Sequence, residues 1–322
     1  MDIALITGLI TGTVDRGSVE RAYGQAADVA AFMAQVDDPL IAALEARGAT
    51  VHRPVWHDST IDWSGFDLAL VRTTWDYVER RDEFVAWATR AGELTRLWNP
   101  AAVLRWNTHK SYLLELEERG APVVPTAWLG QGDRVGLQAL LEQRRWPGAV
   151  VKPAIASGSR GMIRVAIEGA TGANAGGIIG AGEVDLDSGQ RHLDELLAVG
   201  DVLVQPYLDA VADRGELSVV VVDGDVSHAV RKLPRAGEYR IQEGYGGRYV
   251  PQEVDAEVAA LARWIVDATG VELFIARVDL LEDASGTLQL AELEATEPDL
   301  YLRAVPEAAD RIAASILRRA RA

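Results

Sequence analysis

Toward its C-terminal end the chain carries Arg277-Val278-Asp279 and Glu292-Leu293-Glu294 on two apolar runs separated by Asp283-Ala284-Ser285-Gly286. Side chains alternate across a strand, so Glu292 and Glu294 share a face and a hairpin partner can set Asp279 beside them. Three carboxylates so placed repel one another unless a cation joins them. Hard oxygen donors suit Mg²⁺, which keeps several waters and shares its remaining positions with substrate phosphates. The pattern therefore points to magnesium and, through it, to a nucleotide. An isolated E-x-E is more often a solvated acidic edge. Here Phe274, Ile275, Val278, Leu280, Leu281, Leu288 and Leu290 make both strands read as buried, and a buried carboxylate needs a partner or a metal.

Cations that could meet phosphates lie upstream. The spacing predicts a helix from about Thr108 to Arg119, capped by Asn107 and stopped by Gly120 and Pro122, with Lys110 in its first turn. A cation there opposes the helix dipole, and an anionic ligand would compensate it; a plain surface lysine is the alternative. Lys152 ends a predicted strand at 149–153 and is followed by Ser157-Gly158-Ser159-Arg160-Gly161 and a second strand from Met162 to Ile167. Small residues between strands let backbone amides approach phosphate, although such a loop alone is an ordinary hairpin. Neither a Walker P-loop nor G-x-G-x-x-G occurs. Val202 to Leu208 reads as a strand running into Pro206, an edge or crossing segment whose free backbone groups could pair with an adenine edge. Asp223-Gly224 predicts a hairpin turn between Glu216 to Val222 and Val226 to Arg231. Beyond it, Arg231, Lys232, Arg235, Arg240 and Arg248 gather with Gly237, Gly244, Gly246 and Gly247, either as a lid over phosphates or as a solvated loop.

The elements that must position these groups begin with a parallel α/β pattern in the first third. Ile3 to Thr7, Val51 onward and Leu68 to Val71 read as strands. Asp38 as N-cap, Pro39, the apolar Leu40, Ile41 and Leu44, and Gly48 predict a helix between the first two. Gly8 to Asp37 carries no assignable element, and Ala170 to Gly182 reads as a loop without chemistry. The third strand delivers Arg72-Thr73-Thr74-Trp75-Asp76-Tyr77 at its carboxyl end, where open α/β sheets bind ligands. Arg72 could fork onto a substrate carboxylate and Asp76 meet an amine, with Thr73, Thr74 and Trp75 beside them; equally, Arg72 could pair with Asp76 around a core Trp75.

Composition narrows the partners. A chain of 322 residues with 48% hydrophobic and 25% charged residues can bury a large core, and a formal net charge of −16 works against nucleic acid and anionic membrane surfaces. A small-molecule partner is expected. With no cysteine, thiolate nucleophiles, disulfides and Cys-ligated zinc are excluded. The five histidines show no metal-ligand spacing. The start of the sequence is not a basic leader and no apolar stretch reaches spanning length, so a cytoplasmic location is the default expectation.

Taken in order, Lys110, the V-V-K-P of Val150 to Pro153, S-G-S-R-G, Q-P-Y-L at Gln205 to Leu208, G-E-L-S at Gly215 to Ser218, R-V-D and E-L-E resemble the ATP-grasp superfamily. The resemblance implies an α/β (α+β) ATP-grasp fold: an N-terminal parallel α/β domain over 1–105, a small ATP-grasp lobe over 106–205 and a large lobe with the metal site over 206–322. It implies that Lys110 and Lys152, with the loop of Ser157, Gly158, Ser159 and Gly161, hold ATP phosphates. Gln205, Pro206, Tyr207 and Leu208 would frame adenine, and Glu216 would take the ribose hydroxyls. Asp279, Glu292 and Glu294 would bind Mg²⁺, Arg277 would stabilise an oxyanion as the matching residue does in D-alanine ligases, and Arg231 and Arg240 would contact the transferred phosphoryl group or substrate. Many members have E-x-N where this chain has Glu292-Leu293-Glu294. R-T-T-W-D-Y, L-W-N-P, R-W-N-T-H-K-S-Y-L and A-E-L-E-A-T-E-P look most like the O-ureido-D-serine cyclo-ligase group, among glutathione synthetase-like enzymes.

The implied chemistry is transfer of the ATP γ-phosphoryl group to a carboxylate, giving an acylphosphate that a nitrogen nucleophile attacks to form an amide. A nitrogen in the same molecule gives a ring and one in another molecule a peptide-like amide. The sequence leaves both open, and the family's frequent dimers make a homodimer plausible. A nucleotide-binding protein without turnover is the other class; a nicotinamide oxidoreductase lacks its glycine fingerprint.

Overall fold

The structure is a computed structural model that describes residues 1–8, 35–166, 183–235, 241 and 246–322. Arg240, Gly237, Gly244, most of the Gly8 to Asp37 segment and Ala170 to Gly182 lie outside the described residues. The architecture is mixed α/β, built on three sheets.

The first sheet is parallel, in the order β2-β1-β3-β4, with β1 Asp2–Thr7, β2 Thr50–His52, β3 Leu68–Thr73 and β4 Leu97–Trp98. Helix α1 (Asp38–Glu45) starts one residue earlier than the Asp38 cap predicts. Asp37 takes the N-cap position, yet its carboxylate makes no capping bond and turns to Arg72 instead. Helices α2 (Arg81–Leu94) and α3 (Ala101–Asn107) follow. The helix predicted over Thr108 to Arg119 is shorter, with α4 spanning Tyr112–Glu118, so Lys110 sits in the turn before it rather than in its first turn. Asn107 does not cap α4: its side chain bonds the backbone of Leu293 and Ala295, each at 2.7 Å.

The second sheet runs β5-β9-β6-β7-β8, with β5 Ala127–Leu129, β6 Gly148–Pro153, β7 Ile163–Ala166, β8 Glu183–Val184 and β9 Val202–Pro206. Its neighbours are antiparallel except β7 and β8. Pro206 suggested an edge or crossing segment, and β9 is not at an edge. It lies between β5 and β6, and the proline is tolerated because it is the last residue of the strand. Ala149, Val151, Val202 and Val204 pack under α5 (Leu137–Arg144) and α6 (Leu186–Val199), so by alternation Val150, Lys152 and Gln205 face the other way.

The third sheet is antiparallel, β12-β11-β10-β13-β14, with β10 Glu216–Val222, β11 Asp225–Leu233, β12 Arg248–Gln252, β13 Ile275–Glu282 and β14 Leu288–Glu294. The short helix α7 (Ala210–Arg214) precedes it, and Asp223 and Gly224, with φ of 57° and 83°, form the two-residue turn expected from a D-G pair. One face packs against α4 and α8 (Ala256–Ala268) through Leu217, Val219, Val221, Ala276 and Val278. The opposite face is divided. Val220, Val222 and Val230 join Ile312 and Ile316 of the C-terminal helix α9 (Ala308–Arg321), which also packs on Leu40 and Leu44 of α1, so the first and third sheets share one core. The remainder of that face carries Glu216, Ser218, Lys232, Arg277 and Asp279.

β10 meets β11 closely because Gly215, at φ +67°, precedes it; a Cβ there would lie 2.1 Å from the carbonyl oxygen of Lys232. Gly215→Ala should therefore strain the backbone and push β11 away, lowering unfolding free energy by at least ~2 kcal/mol in chemical denaturation. A stability equal to the parent's would contradict this packing.

Candidate active site

A cavity of about 570 Å³ lies between the inward faces of the second and third sheets. That size suits a ligand site. Register sets much of its floor: Arg277 pairs with Glu294 and Asp279 with Glu292 across β13 and β14, so Asp279 lies beside the two glutamates as a hairpin partner could place it, and Ser218 lies opposite Asp279. Arg277 is the hub. Its Nε and Nη2 donate to the two oxygens of Asp279 at 2.9 and 2.8 Å, and Nη2 also pairs with Glu294. Lys232 pairs with Glu216 and stands 3.5 Å from Asp279. Lys110 Nζ meets Glu292 Oε1 at 2.6 Å and Ala156 O at 3.1 Å, while Lys152 Nζ donates to Gln205 Oε1 at 2.8 Å.

Burial and charge act against each other here. Burial disfavours the Asp279 carboxylate, but Arg277 and Lys232, with hydrogen bonds from Arg277 and Ser218, hold its pKa at about 2. Burial raises Glu294 to about 7, aided by the charges of Glu292 and Asp279 and only partly offset by Arg277. Glu297 is raised to about 8 by burial and by Glu294. Burial lowers the pKa of Lys152, with Lys110 adding to the effect.

Most expected nucleotide residues line this cavity: Lys110, Lys152, Ser157, Gly158, Ser159, Gln205, Pro206, Tyr207, Leu208 and Glu216. Gly161 does not. At φ +72° it packs behind the loop against Pro153, where a Cβ would approach Cγ at 3.2 Å. Gly158 and Ser159 also have positive φ, so the loop is bent as backbone-to-phosphate contact requires.

Two expectations need correction. Arg231 does not face the cavity: it points to the opposite side of β11, bonding Arg214 O at 2.9 Å and Glu282 at 3.2 Å. Lys232, its neighbour, is the inward residue, since successive strand side chains change faces. Arg72 is no substrate fork. It is 1% exposed, with Nε on Asp37 at 2.9 Å and Nη1 on Pro298 O at 2.7 Å. Nor does it pair with Asp76, whose carboxylate is buried against Trp56 Nε1 at 3.0 Å. Thr73 donates to Thr7 Oγ1 at 2.8 Å and Thr74 is buried, so of this group Trp75 lines the cavity, joined by Tyr77. Asp279, Glu292 and Glu294 lie side by side, paired with Lys110, Lys232 and Arg277, and no ready-made group of metal ligands occurs among the described residues.

The donor set nevertheless fits magnesium. Glu292 and Glu294 keep 30% and 29% of their side chains exposed, each held by a single protein cation, and hard carboxylate oxygens with room for water suit this ion. Tyr301, Tyr249, Glu297, Asp299 and Arg303 complete the walls and were not singled out from sequence. Lys232 comes opposite Glu216 only through the register shift between Val220 and Val221; an unbroken hairpin from the Asp223-Gly224 turn would put Arg231 there.

Comparison with known proteins agrees with this geometry. Residues 24–99 match the N-terminal domain of D-cycloserine synthetase DcsG, and residues 184–303 match the RimK-like ATP-grasp domain. The cycloserine biosynthesis protein DcsG of Streptomyces lavendulae is 32% identical over 295 residues, covering 87% of this chain and 92% of that protein. The chain belongs to the DcsG family of ATP-grasp ligases. A crystal structure of D-cycloserine synthetase DcsG superposes with a TM-score of 0.78 at 27% identity, covering 99% of this chain and 100% of that one. D-alanine–D-alanine ligase from Bacillus anthracis, with a TM-score of 0.64 at 15% identity over 99% of this chain and 96% of that one, shares the fold. The ligase is thus an ATP-dependent enzyme of C–N bond formation, converting ATP to ADP and phosphate, in a family that typically uses Mg²⁺. No helix among the described residues is long and apolar enough to cross a membrane.

Glu297 keeps a proton that the unfolded chain, with an ordinary carboxyl pKa, has already released. Its stabilising contribution is complete below about pH 4.5 and is lost as pH rises through about 8. Asp279 acts in a separate acid window, its contribution vanishing as pH falls through about 2. Thermal unfolding followed from about pH 5 to 8.5 should show falling stability, with a shallower fall in Glu297→Gln; identical slopes in parent and variant would contradict these assignments.

Proposed function

We propose that this ligase phosphorylates the carboxylate of a small amino acid with ATP and forms an amide from the acylphosphate, closing a ring within the same molecule. The cavity carries the reading: Lys110 and Lys152 lie between the sheets together with Arg277, Lys232 and the carboxylates. Lys152 and Lys110 would hold phosphate oxygens beside the 157–159 backbone, Gln205 to Leu208 would frame adenine, and Glu216 would receive the ribose. Arg277 would bind the developing oxyanion and Lys232 the transferred phosphoryl group, donors already fixed in a water-poor site. Glu292 and Glu294, with Asp279, would hold magnesium, which when bound neutralises phosphate charge. Tyr249, Tyr301 and Trp75 would exclude water that could hydrolyse the activated acid. Residues 1–105 would serve the acid, 106–205 would close over the nucleotide and 206–322 would carry the metal. The name of the Streptomyces relative favours the ring-forming version and a small-molecule substrate; intermolecular ligation is the second reading.

ADP release with Mg²⁺-ATP should be stimulated by one member of an amino-acid panel that includes O-ureido-D-serine, and mass spectrometry of its product should show whether a ring or an intermolecular amide forms. Lys152→Met strands no carboxylate, because its hydrogen bond is to Gln205. It should therefore leave the fold intact while lowering kcat about 10²–10³-fold. Undiminished turnover in that variant, or in Asp279→Ala combined with Glu292→Ala, would exclude these roles.

A further inference from the structure

The acidic side chains on the strands that form the cavity floor are each met by a cation of the protein: Glu216 by Lys232, Asp279 and Glu294 by Arg277, and Glu292 by Lys110. Asp299, in the loop that follows, accepts the backbone N–H of Tyr301 at 2.8 Å and lies 4.0 Å from Arg303. Glu297 differs. It lines the same cavity and is only 6% exposed, yet no described residue pairs with it or donates to it.

Its position is enforced from several directions. Asn99 Nδ2 donates to Ala295 O at 2.7 Å, and Asn107 Oδ1 accepts from Ala295 N at 2.7 Å and Thr296 Oγ1 at 3.1 Å. Arg72 bonds Pro298 O at 2.7 Å, and His228 Nε2 donates to Leu300 O at 2.7 Å. The backbone on both sides of Glu297 is therefore held to β3, α3, β11 and the turn after β4, which fixes the residue in the cavity wall. A buried carboxylate without a counter-charge is costly and persists where a ligand supplies the missing cation. Its raised pKa is what burial beside Glu294 produces.

We propose that Glu297 is the receptor for the ammonium group of the acid substrate. The inference rests on the ligase reading and deepens it: the substrate is an amino acid whose carboxylate turns to Arg277 and whose ammonium group meets Glu297. An acid of the same shape without the amine leaves the Glu297 carboxyl unanswered in a desolvated wall, a penalty by which such sites reject analogues. Lys110, Arg277, Glu292 and Glu294 are the charged groups facing it, and the two cations are already engaged with other carboxylates.

The test compares parent, Glu297→Gln and Glu297→Asp with O-ureido-D-serine, D-serine and D-alanine, and with 3-hydroxypropanoate and propionate as amine-free counterparts of the last two. The glutamine variant should raise KM for the stimulating amino acid about tenfold or more, lose the preference for amine over amine-free acid, and leave KM for ATP within about twofold. Glu297→Asp, which keeps the charge, should fall between and retain the preference. An unchanged amino-acid KM, or equal rises for ATP and acid as a merely structural role would give, overturns the proposal. If the glutamine variant does not fold, the aspartate variant decides by the same preference. If no acid stimulates the parent, the ligase reading fails separately, and calorimetric titration of the same acids with β,γ-imido-ATP present decides the amine site: heat in the parent that is lost in Glu297→Gln supports it, and equal or absent heats overturn it.

Discussion

Arg277 holds Asp279 and Glu294 on one face of a buried strand pair, and each of the three is kept in place by the others. Removing the guanidinium would leave two desolvated carboxylates about one side chain apart, an arrangement that costs several kcal/mol per uncompensated charge. Lys232 and Ser218 extend the network to Glu216, and Lys110 answers Glu292 across the gap. Lys110 and Lys232, two of the cations that the proposed function gives to phosphate, are thus paired with carboxylates, while Lys152 meets the amide oxygen of Gln205. Under the proposed function, ligand binding would be an exchange of partners, with phosphates taking the lysines and magnesium the carboxylates, so that the paired charges would each keep a counter-charge.

Strand alternation makes that arrangement possible. Val220, Val222 and Val230 at one end of a sheet face belong to the core under α9, while Glu216, Ser218 and Lys232 at the other end of the same face belong to the cavity. The apolar half anchors the third sheet to the N-terminal sheet through α1 and α9. Polar cross-links do the finer positioning: Asn107, Asn99 and Arg72 reach from the first third of the chain to the backbone around 293–298. The N-terminal sheet therefore shapes the site mostly by holding the segment that carries Glu297.

What the sequence revealed follows the range of the forces involved. Period-two patterning is local, so the strands bearing Arg277, Asp279, Glu292 and Glu294 were legible without coordinates, whereas the register that sets Asp279 opposite Glu292 depends on an irregularity between Asp279 and Leu280 that no spacing announces. The D-G turn and the glycine loop at 157–161 were equally local. Arg231 was chosen over Lys232 because a basic cluster shows charge without showing which face each residue takes; a single step along β11 reverses the answer. Arg72 misled for a different reason. Its location at the carboxyl end of β3 is right for ligand binding, but its partners Asp37 and Pro298 are distant in sequence and only the packed fold brings them together. Asn107 looked like a helix cap and serves as a clamp on β14, again a long-range contact that no spacing announces.

Calorimetric titration with β,γ-imido-ATP tests, without any substrate, the proposed exchange of protein cations for magnesium at Glu292 and Glu294. Affinity should rise about tenfold or more when Mg²⁺ is added, roughly 1.4 kcal/mol or better, and this gain should vanish in a Glu292→Gln, Glu294→Gln protein. Equal affinity with and without Mg²⁺, or a gain that survives the double substitution, would contradict the account.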